Sequence, residues 1–78
     1  MKVITLNCCL SPWSLTRKAR LPHLAHAILT ENPDVVLLQE IFFKSDPQYL
    51  VKKFQNYGFA DYFYSETLLV ISKYNFIS

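Results

Sequence analysis

The chain opens on alternation. Over residues 2–8, Ile4, Leu6 and Cys8 fall on one face of an extended segment and Val3, Thr5 and Asn7 on the other, which predicts a β-strand. Ser11 and Pro12 follow as a turn signal. The period then becomes that of a helix, with Leu21, Leu24, Ala25 and Ile28 at i, i+3, i+4, i+7. Pro22 is best tolerated in a first turn, so the helix is expected to start near Arg20 or Leu21. An earlier turn nucleated at Ser14 or Thr16 is the alternative. Asn32 ahead of Pro33 ends the helix, because a residue before proline is pushed out of the α region.

Residues 34–40 come next, with Val35, Val36, Leu37 and Leu38 apolar in succession. Such a run predicts a strand buried on both faces, as in the middle of a covered parallel sheet. Strand, helix and strand in this order form a βαβ unit, whose crossover is right-handed. Asp46 and Pro47 read as the N-cap and first residue of a second helix, Leu50 and Phe54 as its core face, and Gly58 as its C-terminal cap. Residues 59–65 alternate aromatic with polar and 68–72 are largely apolar, so two more strands are expected around a turn at Ser65, Glu66 and Thr67. The resulting order is strand-helix-strand-helix-strand-strand, α/β in class. No internal repeat or linker interrupts it.

Composition narrows the function classes. With 51% hydrophobic and 18% charged residues the chain is no disordered tail. No apolar run approaches the ~18 residues of a membrane span, and Met1 and Lys2 lead into a mixed strand rather than an apolar leader. A cytoplasmic protein is expected. At 78 residues the core is marginal, since a chain of this size buries only about 60% of its unfolded surface. The net charge of +2 is too mild to define a polyanion partner. Arg17, Lys18 and Arg20, like Lys52 and Lys53, read as solvated helix faces. Cys8 and Cys9 are adjacent, a poor disulfide pair with no second ligand pair for zinc, and read as small apolar strand-end residues.

Candidate chemistry lies at the strand ends. Asn7 follows the first strand's apolar face and Glu40 closes the second. In open α/β sheets ligands gather beyond the carboxyl ends of the strands. If the two strands are parallel neighbours, an amide oxygen and a carboxylate emerge side by side there. That is hard-donor chemistry, suited to Mg²⁺, with Mn²⁺ as an alternative, and poorly suited to zinc. The competing reading makes Asn7 the start of a turn and Glu40 a solvated strand end. His23 and His26 lie on the first helix, away from this edge, and read as surface residues. Tyr49, Phe54, Tyr57, Phe59, Tyr62, Phe63 and Tyr64 read as core at their helical and strand spacing. Phe42 and Phe43 directly follow Glu40 and could touch an apolar part of a substrate, although packing is the simpler role.

Residues 3–8 (Val, Ile, Thr, Leu, Asn, Cys), then Arg20 and Leu21, then 33–40 (Pro, Asp, Val, Val, Leu, Leu, Gln, Glu) together resemble the start of the endonuclease/exonuclease/phosphatase superfamily, the DNase I-like fold. Residues 68–74 resemble that family's Gly-Leu-Leu-x-x-Ser-Lys/Arg-x-Pro-Ile strand, with Glu66 and Thr67 where the Gly is expected and Asn75 where the Pro is. Asn7, Cys8, Trp13, Arg20 and Leu21 are most similar to the neutral sphingomyelinase-like branch. The resemblance implies metal-binding roles for Asn7 and Glu40, with Mg²⁺ as cofactor. It implies the N-terminal portion of a four-layer α/β sandwich, so that 1–78 would be a fragment of one domain. It further implies a phosphoesterase acting on a lipid headgroup, a nucleic acid or a phosphoinositide.

The family's later Asp-x-Asn and Ser-Asp-His segments have no counterpart in these residues. The isolated chain is therefore expected to be inactive. It is also expected to self-associate through apolar faces that await a second sheet. The alternative is a non-catalytic truncated α/β fragment, or a binding module that keeps the start of the fold.

Overall fold

A computed structural model describes residues 1–10 and 16–76. Its elements are β1 (Val3–Leu10), α1 (Arg17–Thr30), β2 (Val35–Ile41), α2 (Ser45–Gln55), β3 (Asp61–Ser65) and β4 (Leu68–Ser72). They build one four-stranded sheet in the order β1-β2-β4-β3. β1 and β2 are parallel, with Val3 opposite Val35 and Asn7 opposite Gln39. β4 runs antiparallel to both β2 and β3. The expected βαβ unit and the expected hairpin therefore share one mixed α/β sheet. The expected turn at Ser11 and Pro12, the branch resemblance at Trp13 and the alternative helix start at Ser14 lie outside the described residues.

One face of the sheet carries the core. Cys8, Leu10, Val36, Leu38, Ile41, Leu69 and Ile71 are buried against Leu21, Ala25 and Ile28 of α1 and Leu50, Val51 and Phe54 of α2. Phe54 stacks obliquely on Phe59, ring centres 5.1 Å apart, which ties the end of α2 to the segment that enters β3. The opposite face has no helix against it. Val3 and Phe63 are exposed there, and Val35, Leu37, Leu68 and Val70 are only half-buried. The expectation that 35–38 is buried on both faces is thus corrected. Only Val36 and Leu38 are enclosed, because these residues supply one sheet and one helix layer.

Two helix boundaries differ from the sequence expectation. α1 begins at Arg17 with Thr16 as its N-cap residue, the alternative start rather than the one near Arg20 or Leu21, so Pro22 lies inside it and not in its first turn. The helix loses the hydrogen bond that the Pro22 nitrogen would give to the Lys18 carbonyl, but Lys18 is exposed and water can serve that oxygen. α2 begins at Ser45, so Asp46 is its second residue and caps nothing with its side chain. Pro47 still falls in the first turn, where a missing N–H costs little. The Asp46 carboxylate instead meets Arg17 at 2.5 Å, almost fully buried. Gly58, two residues past the Asn56 cap, has φ 90°, and a Cβ there would meet nothing within 4 Å. Backbone conformation, not space, selects glycine at that position. Among the described residues no helix is long and apolar enough to cross a membrane.

Candidate metal centre

Simple alternation would separate the two candidate ligands. Asn7 pairs with Gln39 and shares the uncovered face, whereas Glu40, one residue further along β2, would point to the helix side. Two irregularities undo this. Cys8 and Cys9 stand in β1 where β2 has Glu40 alone, before Leu10 resumes pairing with Ile41. Cys9 and Glu40 are both left-handed, at φ 52° and 60°. Leu38 and Ile41 are consequently both buried although three residues apart, and Glu40 is turned toward Asn7. The Asn7 amide nitrogen donates directly to Glu40 Oε2.

A left-handed residue other than glycine costs on the order of 1–2 kcal/mol, so neighbours must hold it. Ile41, next to Glu40, is fixed at both polar atoms. Its N–H donates to the Thr67 carbonyl at 3.0 Å, and its carbonyl accepts from the Tyr64 hydroxyl at 2.7 Å. On the β1 side the Cys9 N–H donates to Asn7 Oδ1 at 3.0 Å. Arg20 donates to the Cys8 and Cys9 carbonyls at 2.9 and 3.2 Å. Gln39 braces the same edge by donating from Nε2 to Thr5 Oγ1 at 2.8 Å.

The donor set is chemically suited to a hard cation. Asn7 Oδ1 accepts from the Cys9 N–H at 3.0 Å and from the Cys9 thiol, a weak donor, at 3.3 Å, so a cation would take the place of the thiol; no hydrogen bond engages Glu40 Oε1 among the described residues. Asn7 is exposed and Glu40 half-buried, so both can be reached from solvent. No group of three or more His, Cys, Asp or Glu converges among the described residues. One carboxylate and one amide oxygen, completed by waters and phosphate oxygens, is the sparse protein contribution that Mg²⁺ accepts.

The other sequence candidates lie elsewhere. His23 and His26 are exposed on α1, away from this edge. Phe43 packs under Arg17, whose guanidinium carbon is 4.1 Å from the ring centre, while Phe42 is exposed. The basic cluster is not the solvated face expected from sequence: Arg17 and Arg20 are both engaged, and only Lys18 is exposed. Sequence reasoning misses Arg20 and Gln39 as supports of the site. The signal for Gln39 is its place directly before Glu40, opposite Asn7. For Arg20 the signal is its place in the family resemblance, which does not point to this role, because a bulge carbonyl leaves no trace in composition.

Cys8 and Cys9 are both free, Cys8 buried and Cys9 exposed. Burial pushes the Cys8 thiol up to about 12, with Arg20 pulling down and Cys9 and Glu40 adding to the rise. A proton held more tightly in the folded chain than in the unfolded one stabilises the fold fully below the unfolded value. That stabilisation is lost as pH rises from the ordinary thiol value of 9.0 toward 12. Tyr64, raised by burial and by Asp46, acts in the same direction. Urea midpoints are expected to fall between pH 8 and pH 11, and to fall less steeply in Cys8→Ala. Equal slopes in the two proteins would contradict the assignment to Cys8.

Comparison with known proteins places this geometry in a fold. Over its whole length the chain superposes on an endonuclease/exonuclease/phosphatase family protein from Leptotrichia buccalis C-1013-b, with a TM-score of 0.68 and 20% sequence identity. It spans 39% of that chain. The fold is therefore the mixed α/β arrangement found in part of an endonuclease/exonuclease/phosphatase family structure. No family model matches the sequence, and no curated protein matches it.

Proposed function

We propose that this chain is the metal-binding start of a phosphoesterase domain, in which Asn7 and Glu40 hold Mg²⁺ or Mn²⁺. One observation carries the reading. Two left-handed residues bring an amide and a carboxylate from opposite sides of the alternation into contact at one strand-end edge. Backbone strain of this kind concentrates at working sites. A cation held there would neutralise charge developing on a phosphoryl oxygen. Asn7 supplies a neutral donor and Glu40 the negative charge. Gln39, Arg20 and the Ile41 backbone contacts keep the pair in register.

The activity proposed is hydrolysis of a phosphodiester or phosphomonoester, completed by residues beyond these 78. The substrate could be a lipid headgroup, as the likeness to sphingomyelinase-like sequences suggests, a nucleic acid or a phosphoinositide. A cytoplasmic setting agrees with two free cysteines, one of them exposed. The uncovered sheet face, with Val3, Leu37, Val70 and Phe63, is where a second layer would pack, and where isolated chains would associate.

The test uses the full gene product that carries these residues, assayed on bis(p-nitrophenyl) phosphate and p-nitrophenyl phosphate with and without Mg²⁺. Metal-dependent release of nitrophenol that weakens in Asn7→Ala, and returns in part at high Mg²⁺, supports the proposal. Turnover indifferent to Mg²⁺, or unchanged in Asn7→Ala, contradicts it.

A further inference from the structure

We infer that Arg20 is the positioning residue of the Asn7–Glu40 pair, acting through the bulge at Cys8 and Cys9. The inference rests on the cation-site reading above. In an extended strand, successive carbonyls point to opposite sides, and one side chain cannot bind both. The left-handed conformation of Cys9 brings the Cys8 and Cys9 carbonyls to the same side. There the two ends of a single guanidinium take them at 2.9 and 3.2 Å. The planar fork of arginine fits such a pair and an ammonium does not. Arg20 therefore favours the bulged backbone over the extended one.

The consequence reaches the site in two links. Left-handed and outside the paired register of β1 and β2, Cys9 donates to Asn7 Oδ1 from its N–H at 3.0 Å and from its thiol at 3.3 Å. With its oxygen held, the Asn7 amide directs its nitrogen to Glu40 Oε2. Without Arg20, Cys9 is free to extend, its N–H leaves Asn7, and the amide is released from a fixed rotamer. Among the described residues Arg20 makes no hydrogen bond to either candidate ligand. Its charge comes from α1, so the helix and the site are coupled through this one side chain.

The experiment compares wild type, Arg20→Ala, Arg20→Lys and Glu40→Gln by two readouts. The first needs no metal: the HN–Hα coupling of Cys9, which separates left-handed from extended backbone, together with the shift and exchange rate of the Asn7 side-chain amide. The second is Mn²⁺ affinity from water-proton relaxation. Arg20→Ala is expected to move the Cys9 coupling to the extended range and speed Asn7 amide exchange. It should also weaken Mn²⁺ binding about 10-fold, the lower end for groups that orient a metal ligand. Arg20→Lys, with one point of contact, is expected to lose about a third as much. Cys9 and Asn7 signals unchanged in a folded Arg20→Ala overturn the inference. If that variant does not fold, unchanged Asn7 exchange in Arg20→Lys overturns it. Equal Mn²⁺ affinity in wild type and Glu40→Gln overturns the cation reading instead, and the metal-free signals then decide Arg20 alone.

Discussion

Glu40→Gln is expected to weaken Mn²⁺ or Mg²⁺ binding by more than about 100-fold, beyond the ~10–100-fold that follows loss of a supporting partner. The substitution keeps the size of the side chain and its ability to accept from the Asn7 amide. It removes the negative charge that Glu40 supplies at this edge. A hard cation with so few protein donors depends strongly on that charge. In the full gene product the same variant should lose most metal-dependent phosphoester hydrolysis, with partial recovery at high Mg²⁺. The fold should be unaffected, because Glu40 is half-buried and its left-handed backbone is fixed through Ile41, not through its own carboxylate. A solvated strand end would behave differently, shifting stability by less than ~0.5 kcal/mol and leaving metal affinity where it was.

Arg17→Ala is expected to destabilise the chain by about 3 kcal/mol, read from urea unfolding. The Arg17 and Asp46 side chains are only 13% and 2% exposed, and Asp46 Oδ2 has no hydrogen-bond partner among the described residues. Removing the arginine leaves a buried carboxylate uncompensated, the situation that costs roughly 3–5 kcal/mol. Loss of the contact with Phe43 adds to it. For a chain this short, total stability is only about 4–12 kcal/mol at ~0.05–0.15 per residue. The double variant Arg17→Ala/Asp46→Ala should be more stable than Arg17→Ala alone, because the stranded charge goes with its partner. If Asp46 were merely a helix cap, Arg17→Ala would be near neutral and the double variant the worse of the two.

Much of this molecule is legible in its sequence. Helical spacing from Leu21 to Ile28, the apolar run from Val35 to Leu38 and the hairpin around Glu66 and Thr67 each appear as elements, and their order defines the mixed α/β class. What could not be read is tertiary. Val35 and Leu37 look as apolar as Val36 and Leu38, and only the placement of both helices on one face leaves them half-bare. Asp46 carries the local signature of a cap, but a partner 29 residues earlier in sequence, Arg17, claims its carboxylate. Strict strand alternation would even separate the two proposed ligands, since Asn7 and Glu40 fall on opposite parities. The left-handed turns at Cys9 and Glu40 bring them back together, and neither residue type announces such a turn.

The central claim is that Asn7 and Glu40 form a cation site at the carboxyl edge of β1 and β2. Its most direct test is a titration of the ¹⁵N-labelled chain with sub-stoichiometric Mn²⁺, following paramagnetic broadening residue by residue. Selective loss of the signals of Asn7, Cys8, Cys9, Gln39, Glu40 and Ile41, reversed by excess Mg²⁺ and absent in Glu40→Gln, is the predicted result. Broadening centred on other carboxylates such as Asp34, Asp61 or Glu66, or persisting at this edge in Glu40→Gln, would contradict it.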